Sequence, residues 1–187
     1  MARTMTGRRP APARDSGDGA RADRPRLFQT KNDLPEAARS EAIVLLNQRL
    51  ADCIDLQTQC KQAHWNVKGP DFIALHRLFD RVNEDVEDYV DLIAERAVQL
   101  GGVADGTARS VAKRSTLAEY PVKGGNSQQH VDALSSALAT FGKAARSAIE
   151  ESSRASDQDT ADIFTEISRG VDKWLWFVEA HQQDTPE

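Results

Sequence analysis

Two histidines and three carboxylates in this chain have the residue types of a metal centre, and their spacing decides whether they can form one. His64 and His76 lie twelve apart in the run HWNVKGPDFIALHRLFD, Asp80 follows four residues after His76, and Asp91 and Glu95 make a second pair four apart. A set mixing imidazole with carboxylate suits iron or zinc better than calcium. From Phe72 to Leu100 the apolar residues Ile73, Leu75, Leu78, Phe79, Val82, Val86, Tyr89, Val90, Ile93, Ala97 and Leu100 recur every three or four positions, with no proline or glycine between them. That period predicts one long helix. On it His76 and Asp80 project from one face, and so do Asp91 and Glu95. The eleven residues from Asp80 to Asp91 return the chain to within roughly 20° around the axis but carry it about 16 Å along it. One metal cannot reach both pairs in one chain. A second copy of the helix, antiparallel across a two-fold axis, would bring His76 and Asp80 of each chain level with Asp91 and Glu95 of the other, and would do so twice. Glu84, Glu87 and Asp88 make the helix acidic in any case, so spacing alone also allows a solvated acidic face.

The elements that must position these residues read as helices throughout. Asp33-Leu-Pro-Glu36 predicts a capped helix start with proline in the first turn. The first helix then runs from about Pro35 to Asn66, with an inward stripe at Leu46, Leu50, Cys53, Gln57, Cys60 and His64. Lys68-Gly-Pro70 breaks it, and Gly101-Gly102 ends the second helix. Residues 103 to 126 contain Gly106, Pro121, Gly124 and Gly125 and read as a connection with a short helix near Ser110 to Leu117. A third helix fits Gln128 to about Ser152, striped at Val131, Leu134, Leu138, Phe141, Ala145 and Ala148. A fourth fits Thr160 to about Ala180, striped at Ile163, Phe164, Ile167, Val171, Trp174, Leu175 and Val178. Nothing alternates as a strand would. Four long amphipathic helices joined by one long crossover describe an all-α, ferritin-like four-helix bundle.

With 187 residues, 40% of them hydrophobic, the chain can bury one good core. No run of eighteen apolar residues occurs and the arginine-rich start precedes no apolar segment, so no membrane span or secretory signal is expected and a cytoplasmic protein is. Cys53 and Cys60, seven apart on one helix, stand about 10 Å from each other by helical rise and cannot pair; they read as small buried hydrophobes of a reducing compartment. The net charge of −5 conceals two opposite parts. Residues 1 to 31 carry Arg3, Arg8, Arg9, Arg14, Arg21, Arg24, Arg26 and Lys31 against Asp15, Asp18 and Asp23, a surplus of five positive charges that leaves the rest ten negative. This segment has almost no large apolar residue before Leu27 and Phe28, cannot offset its ordering entropy, and is expected to be a disordered tail. The bundle is then expected over 32–182, followed by a short tail at 183–187. His130 and His181 read as exposed helix residues.

Three runs, KQAHWNVKGPDFIALHRLFD, DLIAERAVQLGGVADGT and DTADIFTEISRGVDKWLWFVEA, closely resemble the Dps family, the DNA-binding proteins from starved cells, which are mini-ferritins. The resemblance spans roughly residues 33 to 180. H-x11-H-x3-D followed by D-x3-E is that family's ferroxidase pattern, and every position is filled here. It implies that His64, His76 and Asp80 of one subunit and Asp91 and Glu95 of its two-fold mate bind iron, with Trp65 beside the first ligand. It further implies a hollow homo-dodecamer that oxidises Fe(II), preferentially with hydrogen peroxide, and stores the ferric product. Asp157, Asp162 and Glu166 match acidic positions lining the family's three-fold pores, although Asp157 or Asp159 could equally cap the fourth helix. Basic tails in the family often contact DNA, a strongly salt-dependent interaction. No E-x-x-H motif occurs, which sets the chain apart from ferritins with a centre inside each bundle. Two rival readings remain: an architectural nucleoid protein with a vestigial metal site, and a helical oligomer with a zinc-stabilised interface, the latter disfavoured by the absence of cysteine from the set.

Overall fold

A computed structural model of the chain describes residues 26–121 and 125–183. These form five helices: α1 (Glu36–Asn66), α2 (Phe72–Gln99), α3 (Ala108–Arg114), α4 (Ser127–Arg154) and α5 (Gln158–Glu179). No strand occurs among the described residues. The α1–α2 and α4–α5 pairs are hairpins that pack α1 on α4 and α2 on α5, with α3 lying against α1. Phe79, Phe141, Phe164, Leu46, Leu50, Leu56, Ile93 and Leu138 are fully buried between them, an apolar interior contributed by all four long helices. Among the described residues no helix is long and apolar enough to cross a membrane.

The helix ends are finished differently from the sequence expectation. The capping pattern at Asp33 to Glu36 does not form: Pro35 occupies the N-cap with no side-chain bond, while Leu34 N–H turns back to the Asn32 side chain at 3.0 Å. Arg39 supplies the missing order, donating to the Leu34 and Leu100 carbonyls at 3.2 and 3.0 Å. The full capping box lies instead at α4, where Asn126 and Gln129 each bond the other's backbone N–H. At the end of α2, Gly101 has φ 86° and a Cβ there would lie 2.7 Å from the Phe28 carbonyl. The same Gly101 accepts from Phe28 N–H at 2.7 Å, so residues 26 to 31, assigned to the tail by composition, run extended past this end of the bundle.

The crossover climbs along α1 and is pinned there by polar side chains. Asn47 binds Val103 and Asp105, Gln48 the Arg114 carbonyl, Asp52 the Thr116 amide and hydroxyl, Asp55 the Ser115 hydroxyl and Gln59 the Ala118 carbonyl. Asp52 is fully buried and also pairs with Arg49 at 3.0 Å. This third contact face widens the buried surface of α1, so Leu56 and Gln59 are buried and Gln57 of the expected stripe is only half so. The short helix ends three residues earlier than expected, where Ser115 and Thr116 turn to α1. Ile73, expected in the α2 stripe, is exposed because it lies in the first turn beyond the reach of α5. His130 is a further correction: it is buried at 3% exposure, whereas His181 is exposed. Gly124 and residues 184–187 lie outside the described residues.

Candidate metal centre

The α1–α2 turn brings three of the five expected ligands together. His64 is in the last turn of α1 and His76 in the second turn of α2, and each imidazole Nδ1 lies 2.8 Å from the other residue's backbone carbonyl. A carbonyl can only accept, so both Nδ1 atoms carry the proton and both Nε2 lone pairs are left free in the neutral rings. The rings stack with centroids 3.7 Å apart, and Phe72 closes on His76 at 5.1 Å. This is the orienting bond that metal-ligating histidines make through their second nitrogen.

Asp80 stands beside them, its Oδ1 3.7 Å from His64 Nδ1 and 2.5 Å from Lys61 Nζ. The Lys61 hydrogen bond, aided by the ammonium charge, holds its carboxyl below the usual range against a smaller opposing effect of burial. Sequence reasoning missed Lys61, although it sits three residues before His64 on the same face of α1. Trp65 is 66% exposed and takes no part in the core.

Asp91 and Glu95 are not brought to this cluster. They lie exposed further along α2, and among the described residues no three or more His, Cys, Asp or Glu side chains are grouped closely enough to hold a metal. What one chain presents is a cluster of two oriented imidazoles and a carboxylate held by a lysine.

The acidic set on α5 divides. Asp157 is the N-cap of α5 and is 2% exposed. Its oxygens take Arg96 Nη2 at 2.7 Å, the Thr160 amide at 3.1 Å and the Thr160 hydroxyl at 2.6 Å. Arg96, itself buried, also donates to Thr160 at 2.9 Å. Asp157 therefore cannot line a pore: its carboxylate is consumed by a buried ion pair that ties α2 to α5. Asp162 and Glu166 remain exposed, four apart on one face. In the basic tail Arg26 is exposed, its guanidinium 5.3 Å from the Phe28 ring centroid. Arg3, Arg8, Arg9, Arg14, Arg21 and Arg24 lie outside the described residues.

Comparison with known proteins places this architecture. A family model described as a ferritin-like domain matches residues 43–187. A "DNA protection during starvation protein" of Agrobacterium fabrum is 47% identical over 159 residues, covering 85% of this chain and 98% of its own. The "Fine tangled pili major subunit" of Haemophilus ducreyi is 32% identical over 136 residues, 73% of this chain and 71% of its own. The solved structure of DpsC from Streptomyces coelicolor superposes with a TM-score of 0.82 at 30% identity, over 86% of this chain and 94% of that one. With the bundle, the crossover and the paired imidazoles already in place, the chain belongs to the Dps family of ferritin-like proteins.

Proposed function

We propose that this protein is a ferroxidase and iron store, taking Fe(II) as substrate at centres completed between two-fold-related subunits. His64, His76 and Asp80 supply one half and Asp91 and Glu95 of the mate the other. The observation that carries this reading is the reciprocal bonding of His64 and His76, which fixes both tautomers and leaves both Nε2 atoms as ligands. Exposed Asp91 and Glu95 on the same helix as His76 are the donors such a half-site lacks. Imidazole and carboxylate hold Fe(II) and stabilise the higher charge of Fe(III). Two irons reducing one hydrogen peroxide yield two hydroxides without free hydroxyl radical, which is the basis of protection. Twelve subunits close the cage, Asp162 and Glu166 line an entry for the cation, and the assembly works in the cytoplasm.

The basic tail adds DNA binding, in line with the relative named for DNA protection. Seven arginines on each copy, repeated around an oligomer, give multivalent contact with phosphates that weakens steeply as salt rises. The test is stopped-flow oxidation of Fe(II) with peroxide and with oxygen, on protein whose assembly mass has been measured by light scattering. The expected outcome is an assembly of twelve subunits that consumes one peroxide per two irons and prefers it to oxygen. A monomer, or oxidation no faster than in buffer, refutes the reading. Removal of residues 1–25, which spares the segment bonded to Gly101, should abolish DNA retardation and leave iron oxidation intact; unchanged retardation would assign DNA binding elsewhere.

A further inference from the structure

A groove between the end of the crossover and the first half of α4 takes no part in the metal centre. Its volume is about 590 Å³. Ala133 and Ala137 of α4 line it together with Ala118 and Pro121 of the crossover, so part of its surface is apolar and free of long side chains. Tyr120 and His130, buried and bonded to each other at 2.6 Å, form another part of the wall. The charges of the lining have one sign. Glu119 and Asp132 belong to it, and no Lys or Arg does. Burial lowers the pKa of His130 against a weaker pull from the Asn66 backbone, and burial raises that of the Tyr120 phenol. Both rings are therefore neutral near pH 7 and leave the two carboxylates unopposed.

The hydrogen-bonding capacity left in the groove is mostly that of acceptors. Gln59, 5% exposed, gives both amide hydrogens away, to the Asp55 carboxylate at 3.2 Å and the Ala118 carbonyl at 3.1 Å. Those two bonds fix the amide, and its Oε1, which can only accept, has no hydrogen-bond partner among the described residues. The Thr140 hydroxyl donates to the Ser136 carbonyl at 2.8 Å and keeps its lone pairs. Gln129 differs, since its Oε1 is spent in the α4 cap on Asn126 and its amide hydrogens remain. The Ser136 hydroxyl can do either. Such a lining repels anions and favours a ligand rich in N–H donors. A bare cation would fill little of the volume and leave the alanine and proline surface unused. Charge carried on methylenes uses both. From Gln129 to Thr140 the α4 side of the groove extends about 16 Å, long enough for a chain with an ammonium group at each end.

We propose that this groove binds a linear aliphatic polyamine, its ammonium groups on Asp132, Glu119 and Gln59 Oε1 and its methylenes against Ala118, Pro121, Ala133 and Ala137. The site is independent of the ferroxidase reading. A polyamine held there offsets part of the surplus of ten negative charges that residues 32–187 carry, and so lessens their repulsion of a polyanion such as DNA.

The test is titration calorimetry at low salt on the full-length protein, with spermidine and putrescine as probes. The controls are 1,4-butanediol, which keeps the length of putrescine without its charge, and Mg(II), which has charge without methylenes. The expected result is saturable binding of one polyamine per subunit, none of butanediol, and no displacement by equimolar Mg(II). Asp132→Asn and Glu119→Gln, both at exposed positions, should each weaken binding about tenfold, the loss of one charge-assisted hydrogen bond. Ala133→Phe, which fills the groove, should abolish it. Glu41→Gln removes the same charge about 27 Å along α1 from Gln59 and should change nothing. An equal loss in Glu41→Gln, or displacement by Mg(II), would reduce the effect to diffuse attraction by an acidic surface and overturn the site. Undiminished binding to Ala133→Phe would overturn it too, as would the absence of saturable heat with both amines at two temperatures. Should Ala133→Phe fail to fold, as read by circular dichroism, the two carboxylate variants set against Glu41→Gln decide the matter.

Discussion

A site shared between two chains can be rescued by mixing two broken chains, and a site within one chain cannot. Consider His76→Ala with Asp80→Ala in one subunit type and Asp91→Ala with Glu95→Ala in another. Each homogeneous assembly has every centre short of one half and should oxidise iron near the background rate. In a two-fold pair with one subunit of each type, one centre loses both halves and the other is intact. With equal amounts and random pairing, half the pairs are mixed and half their centres intact, so activity returns to about one quarter of the parent rate. Folding should survive both changes. Asp91 and Glu95 are exposed, where substitutions cost about 0.5 kcal/mol or less. Losing the His76 imidazole removes one hydrogen bond to the His64 carbonyl, worth about 1 kcal/mol. The assay is peroxide-driven Fe(II) oxidation on co-expressed, differently tagged subunits whose mixing is verified by mass. Verified mixing without recovery refutes the shared site, as does an Asp91→Ala, Glu95→Ala protein that keeps the parent rate.

Three further outcomes test the surroundings of the site. Asp157→Ala strands the buried Arg96 guanidinium and should cost about 3–5 kcal/mol, read as a lower urea midpoint; a change near zero would mean the pair is replaced by water. Lys61→Met frees the Asp80 oxygen that the ammonium holds at 2.5 Å, and titration calorimetry with Co(II) should show tighter binding; weaker binding would make Lys61 a support of the site instead of a competitor. His130 is held neutral by burial, its pKa below the ordinary 6.5, so the unfolded chain binds more protons between the two values. Stability from this group is therefore full above about pH 6.5, and it falls as pH drops toward the folded value; a His130→Phe protein whose stability changes with pH as steeply as the parent's would refute this.

The parts legible from sequence were those governed by period and by strong breakers. The α2 stripe, Gly69-Pro70 and Gly101-Gly102 set the hairpin to within a residue or two of Phe72–Gln99. The His64 to Asp80 spacing placed three residues at one end of that hairpin. Less legible were contacts between elements far apart in the chain. Asp157 looks like an exposed acid until Arg96, on another helix, is seen to fill its cavity. His130 lies at a helix start, where histidines are commonly solvated, and is buried because the crossover returns Tyr120 to it. The polar ladder on α1 from Asn47 to Gln59 carries no periodic signal, since its partners are irregular backbone whose path composition cannot specify.

The contents of the bundle explain why the proposed metal ligands sit at its edge. Ferritin-like di-iron proteins place glutamates and Glu-x-x-His pairs inside the four helices, but here that volume is filled by Phe79, Phe141 and Phe164, all without solvent contact. Carboxylates in such an interior would need metal before the chain could fold, because an uncompensated buried charge costs several kcal/mol. Divided between two chains, the same ligands impose no such demand. In one subunit Asp91 and Glu95 keep their hydration, Asp80 is neutralised by Lys61, and the imidazoles satisfy their Nδ1 protons on each other's backbone. On the proposed assignment neither half requires iron to fold, and charges of one sign would be brought together only when subunits pair and a cation is there to offset them. On this reasoning the subunit folds first, and the ability to oxidise iron arises with the two-fold contact.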